Sequence, residues 1–203
     1  MERSYRLVVL CHCILNANAI VDGEARYPGA MGEFLAPLVA EGTGIIQLPC
    51  PESTFLGLRR CPMGVEQYDS PAFRRHCSRI LEPFMDQIQD ALQNGVQVLG
   101  VVGVKGSPSC GVTATCTGRM SPDTRKVVDF AVRYGSAGVF IQVLRRELLA
   151  RGIDLPMTDV DNGDPSSASW KAAREELTAE AAEAPARGGS NIFVPPLHIS
   201  SGF

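Results

Sequence analysis

Apolar positions along this chain fall into short β-branched runs separated by longer stretches with helical spacing. "YRLVVL" at 5–10 is a continuous apolar run with no polar alternation, the pattern of a strand buried on both faces. "GAMGEFLAPLVAEG" sets Met31, Phe34, Leu35, Leu38 and Val39 at helical spacing, with Gly42 as a stop and Pro37 as an internal irregularity. "GIIQLP" at 44–49 is a second short strand, and "CPESTFLGLRRCPMGVEQYD" after it reads as a long loop.

Ser70-Pro71 is a helix entry, an N-cap followed by proline in the first turn. Phe73, Cys77, Leu81, Phe84, Ile88 and Leu92 then share one face. Pro83 is expected to kink or split that helix, and Asn94-Gly95 to end it. "VQVLGVVGV" at 96–104 is the strongest strand signal in the chain. Residues 117–136 show no clear period. Ser136 is expected to cap a helix running to about Arg151, with Val139, Phe140, Val143, Leu144 and Leu148 inward and Gly152 as its end. "IDLPMTDVD" at 153–161 is a fourth strand.

Strands alternating with helices predict an α/β fold: a doubly wound, mainly parallel, four- to five-stranded Rossmann-like sheet with helices on both faces. The composition changes at Asn162. Residues 1–161 are expected to form the α/β domain, and 162–203 an Ala/Glu-rich helical extension and a tail without chemical features.

Composition narrows the function. The chain has 203 residues, 45% hydrophobic and 20% charged, which is an ordinary globular composition. A net charge of −3 and the absence of long Lys/Arg runs argue against a nucleic-acid polymer as partner. The apolar N-terminal stretch is too short for a membrane helix and lacks a small-residue cleavage site, so a cytoplasmic protein is expected. In that compartment seven cysteines are not a disulfide framework, and their odd number leaves full pairing impossible.

Cysteine placement carries the chemistry. The first strand ends at Leu10, and Cys11 and Cys13 follow. The second ends near Pro49, and Cys50 follows. The third ends near Val104, and Cys110 lies in the loop "GVKGSPSCGV" beyond it. Ligands of parallel α/β sheets gather outside the carboxyl ends of strands. Neighbouring strands are about 4.8 Å apart, so these thiols are expected to meet. No C-x-x-C pair occurs, and Cys11-His12-Cys13 is too tight for a zinc knuckle. Iron–sulfur clusters are held by thiolates, often four, and three would leave one iron open as a Lewis acid.

The segments "CILNANAIVDGEARYPG", "LPCPES" with "GLRR", and "GVKGSPSCG" resemble the 2-thiouracil desulfidase family, in the same order and over roughly the first 150 residues. The resemblance implies a [4Fe-4S] cluster on three cysteines. Cys13 in "CILN" matches the first of them, rather than Cys11; Cys50 in C-P-E matches the second; Cys110 in S-P-S-C-G matches the third. It also implies a thiolated small-molecule substrate whose sulfur meets the open iron, and an acidic residue that moves protons, for which Glu52 is the nearest match. The chain departs from the family where "ARYPG" has Ala25 and Pro28 in place of a cysteine and an Asp or Asn, and where Asn16 replaces a glycine.

Further candidates come from the residues themselves. Ser107 and Ser109 are possible hydroxyl donors to a substrate, although serine in such loops more often satisfies its own backbone. Arg26, Arg59 and Arg60 are candidates to orient a polar heterocycle. His12 is either a proton relay or a strand-end histidine bonded to backbone. Asp22 and Glu24 are further acidic candidates, more simply read as solvated turn residues. Cys77 reads as core; Cys61 and Cys116 have no evident partner. The rival functions are an iron–sulfur electron-transfer protein, a zinc-binding structural or regulatory module, and a persulfide carrier on Cys110. A monomer and a homodimer fit equally.

Overall fold

The computed structural model describes residues 2–162, 171–177 and 179. Four parallel strands form the central sheet in the order β2-β1-β3-β6: β1 (Arg6–Leu10), β2 (Gly44–Gln47), β3 (Gln97–Val104) and β6 (Met157–Val160). Leu10 pairs with Gln47 on one side and with Val102 on the other. The strands alternate with α2 (Gly32–Ala40), α5 (Pro71–Gln93) and α6 (Val139–Ala150), which flank the sheet. The α/β parallel architecture read from the sequence is therefore the one observed.

Its core follows from the apolar runs. Val8, Val9, Leu10, Val101 and Val102 are wholly buried in the two central strands. Side chains of this kind stabilise by about 1.5–3 kcal/mol each on burial. Phe73, Cys77, Leu81, Met85 and Ile88 of α5 and Val139, Phe140, Val143, Leu144 and Leu148 of α6 complete it. Ser70 caps α5, its Oγ accepting from the Phe73 amide at 3.2 Å. Pro83 does not split this helix, which runs unbroken through 23 residues. Pro83 lies on the exposed side, while the buried face continues past it from Leu81 to Met85.

Three stretches depart from the sequence reading. Residues 50–69 are not one long loop; they hold α3 (Pro51–Leu56) and α4 (Val65–Tyr68). Cys13 lies in a single helical turn, α1 (His12–Leu15), directly after β1. The stretch without a period is an antiparallel ribbon of β4 (Ala114–Met120) and β5 (Val127–Tyr134), separate from the main sheet. Its signal was hidden because β5 is largely exposed on both faces, with Phe130, Val132 and Tyr134 open to solvent. The N-cap position of α6 is held by Gly138 rather than Ser136.

Residues 171–177 are helical, and Ala173 and Leu177 are buried against the core. The rest of the expected extension and the tail lie outside the described residues. Among the described residues no helix is long and apolar enough to cross a membrane.

Candidate active site

In the strand order 2-1-3-6 the chain leaves β1 toward β2 and then crosses to the other side of β1. A sheet of this kind opens a crevice where the order reverses, beyond the carboxyl ends of β1 and β3. Cys11 and Cys13 follow β1 and Cys110 follows β3, so they border that crevice. Cys50 follows β2 and joins from the next strand.

These thiols come together in pairs, Cys13 with Cys50 and Cys11 with Cys110. Cys13 and Cys50 are hydrogen-bonded through their side chains, and so are Cys11 and Cys110. Cys110 and Cys13 also interact electrostatically, and each does so with Cys50. Cys11, Cys50 and Cys110 are buried, Cys13 partly so. Cys50 is the N-cap of α3; its Sγ accepts from the Ser53 amide at 3.4 Å. The thiol hydrogen of Cys13, and then this amide, hold Cys50 down at about 6 against the opposing effect of burial. Cys13, the donor of that pair, is raised well above an ordinary thiol by the same bond, with burial adding to it. Cys110 is raised by its bond to Cys11 and by burial. All seven cysteines are free.

Glu52 stands on α3, two residues beyond Cys50, and is held from three directions. Its Oε1 accepts from Ser109 Oγ at 2.6 Å. Its Oε2 accepts from Arg60 Nε at 2.8 Å and from the Tyr68 hydroxyl at 3.1 Å. The Arg60 and Glu52 side chains are only 2% and 9% exposed. Burying two charges costs several kcal/mol per ion, which attraction and hydrogen bonds must offset. Burial, with Glu52 adding to it, pushes the Tyr68 phenol well above its usual range, so Tyr68 remains a donor.

Ser109 ties this network to the thiols, since its Oγ is also 3.5 Å from Cys110 Sγ. The Ser109–Cys110 turn is fixed by backbone contacts. Val139 and Phe140, at the start of α6, donate to the carbonyls of Pro108 and Ser109. Gly138 and Gly103 make this approach possible. A Cβ on Gly138 would collide with the Ser109 backbone, and one on Gly103 with the Cys110 carbonyl. Ser107 has a backbone role here: its Oγ accepts from the Cys110 amide at 3.0 Å.

The first loop is organised around Cys13. The Tyr27 hydroxyl donates to the Cys13 carbonyl at 2.9 Å. Asn16 caps the turn at Ala17–Ala19, its Oδ1 accepting from the Asn18 amide, a role glycine has no side chain to fill. The His12 ring pairs with the Asn16 amide group at 3.3 Å rather than with a thiol.

Of the three candidate arginines only Arg60 is buried; Arg26 and Arg59 are exposed, and Arg26 faces Glu24 at 3.5 Å. Asp22 and Glu24 are exposed turn residues and Cys77 is core, as read from the sequence. Tyr68 and Tyr27 were missed. Helical spacing from Val65 hints that Tyr68 is buried, but nothing local shows its hydroxyl reaching Glu52.

The parallel α/β sheet thus brings thiols and a buried acid together at its switch point. A family model described as "Putative 2-thiouracil desulfurase" matches residues 5–134, and the chain belongs to that family. The chain is also similar to the uncharacterized protein MJ0003 of Methanocaldococcus jannaschii, with 35% identity over 107 residues, covering 53% of this chain and 68% of that protein. No solved structure matches the chain.

Proposed function

We propose that this protein removes sulfur from a thiocarbonyl heterocycle such as 2-thiouracil, with a [4Fe-4S] cluster held by Cys13, Cys50 and Cys110. One observation carries the reading: the buried carboxylate of Glu52 is joined to Cys110 through Ser109, and Cys110 and Cys13 each interact electrostatically with Cys50.

The donor set fits such a cluster. A single zinc ion needs its ligands at about 2.0–2.3 Å from one point. Among the described residues no three His, Cys, Asp or Glu side chains come together in that way. A cluster takes each thiolate on a separate iron and suits thiols spread over three strand ends. Cys50, held low, is ready to bind as thiolate. When bound, the cluster supplies an iron without a protein ligand, a Lewis acid for the thiocarbonyl sulfur.

The net reaction is a hydrolysis. Water adds to the thiocarbonyl carbon, the C–S bond breaks, and sulfur leaves as hydrogen sulfide while C=O replaces C=S. No electrons are transferred overall. Glu52 acts as general base, taking a proton from water at Oε1 directly or through the Ser109 hydroxyl. Arg60 and Tyr68 occupy Oε2, which leaves Oε1 to handle the proton. Burial keeps bulk water from competing.

The test is anaerobic reconstitution with iron and sulfide, read by visible absorption, followed by sulfide release from 2-thiouracil. Release that depends on Cys50 and Glu52 is expected. Protein that binds zinc but no iron, or that carries the cluster and releases no sulfide from any thio-heterocycle, overturns the proposal.

A further inference from the structure

Arg60 is held by two of its three guanidinium nitrogens. Nε donates to Glu52 Oε2 at 2.8 Å, and Nη2 to the Ala19 carbonyl at 2.7 Å. The third, Nη1, is buried and has no acceptor among the described residues. A guanidinium is planar and rigid, so pinning two nitrogens also sets the direction of the third. A buried charged donor without a partner is costly and calls for an explanation in what the site binds. Through Glu52 the guanidinium is linked to the thiols, since Ser109 Oγ bonds both Glu52 Oε1 and Cys110 Sγ.

We propose that Arg60 is a ligand-recognition residue of this site, its Nη1 donating to an electron-rich sulfur or oxygen of the ligand bound among the thiols. Resting on the desulfidase reading above, this adds a specificity-determining residue to it. Two sources offer that acceptor: an inorganic sulfide of the cluster, or the oxygen of a substrate carbonyl. Glu52 occupies one edge of the guanidinium and balances its charge, while Nη1 stays available. Arg60 thus has two separable roles, positioning Glu52 and gripping the ligand.

The experiment uses the reconstituted protein with Arg60→Gln, Arg60→Lys and Tyr68→Phe. Tyr68→Phe removes the other donor to Glu52 Oε2 and leaves Nη1 in place, so it reports the loss of Glu52 positioning alone. Arg60→Lys keeps a charge opposite Glu52 and serves if Arg60→Gln does not fold. If the acceptor is a cluster sulfide, both Arg60 variants change the electron paramagnetic resonance signal, Arg60→Gln lowers the midpoint potential, and Tyr68→Phe does neither. If the acceptor belongs to the substrate, the Arg60 variants keep the wild-type cluster signal and raise KM for 2-thiouracil about tenfold, the scale of one charge-assisted hydrogen bond. Arg60 variants that match wild type in signal, potential and KM overturn the inference, as does Tyr68→Phe reproducing their every effect. Either result leaves the desulfidase reading standing. Wild-type protein that takes up no iron and releases no sulfide overturns both.

Discussion

Ser109 Oγ lies 2.6 Å from Glu52 Oε1, a buried hydrogen bond between residues 57 positions apart. It joins the loop after β3 to the helix after β2 and links the carboxylate to Cys110. Ser109→Ala deletes this donor. Sulfide release is expected to fall by about 10²–10⁴, the range of a lost acid–base contribution. Stability is expected to drop by about 1–3 kcal/mol, because a buried acceptor loses a partner. Turnover assays and urea unfolding measure the two effects separately.

Glu52→Gln leaves the Arg60 guanidinium buried without its counter-charge. Breaking a buried pair from one side costs about 3–5 kcal/mol. Adding Arg60→Met to Glu52→Gln removes the stranded charge and is expected to restore most of that stability, with no return of activity. Urea midpoints of the single and double variants decide this; a single variant as stable as wild type would contradict the buried pair.

The Cys50 thiol, held at about 6 by the Cys13 hydrogen bond, is mostly thiolate at neutral pH. The thiolate is lost as pH falls through 6, and metal uptake is expected to weaken with it. Thiolate absorbance of the reduced, metal-free protein should titrate near that value and vanish in Cys50→Ser. In Cys13→Ala the midpoint should move up toward the ordinary thiol value of about 8.5.

His76 on α5 is buried, its Nε2 2.8 Å from Thr54 Oγ1. Burial, with Arg79 nearby, lowers it below its usual 6.5. Between that lowered value and 6.5 the unfolded chain binds a proton that the native protein does not, so stability falls as pH drops through this window. Comparing urea midpoints at about pH 7.5 and about pH 5.5 should show the loss, and His76→Gln should reduce it.

Gly138→Ala drives a methyl group into the Ser109 backbone. Overpacking of this kind costs about 1–3 kcal/mol. Ser109 should move away from Glu52, so turnover should fall together with the melting temperature. An alanine variant with wild-type turnover would show that this approach does not position Ser109.

Much of the scaffold was legible because its signals are local. Continuous β-branched runs such as Val101-Val102 mark buried strands, and the Ser70-Pro71 entry marks α5. The β4–β5 ribbon was not legible: its apolar residues face solvent, so no alternation separates an inner from an outer face. Helices α3 and α4 are too short for a period to register. Pro83 misled because the cost of a proline inside a helix depends on whether tertiary packing holds the helix on both sides.

The amino-acid sequence alone determined the parallel α/β alternation and put Cys13, Cys50 and Cys110 at three strand ends, since strands, helices and the loops between them follow from patterns a few residues long. It could not determine which neighbours those groups meet. Only the tertiary structure selected Arg60 from three arginines, brought Tyr68 and Ser109 to Glu52, and turned Ser107 toward the backbone. Each of these contacts joins side chains distant along the chain, and hydrogen bonds act over about 3 Å of space whatever the separation in sequence.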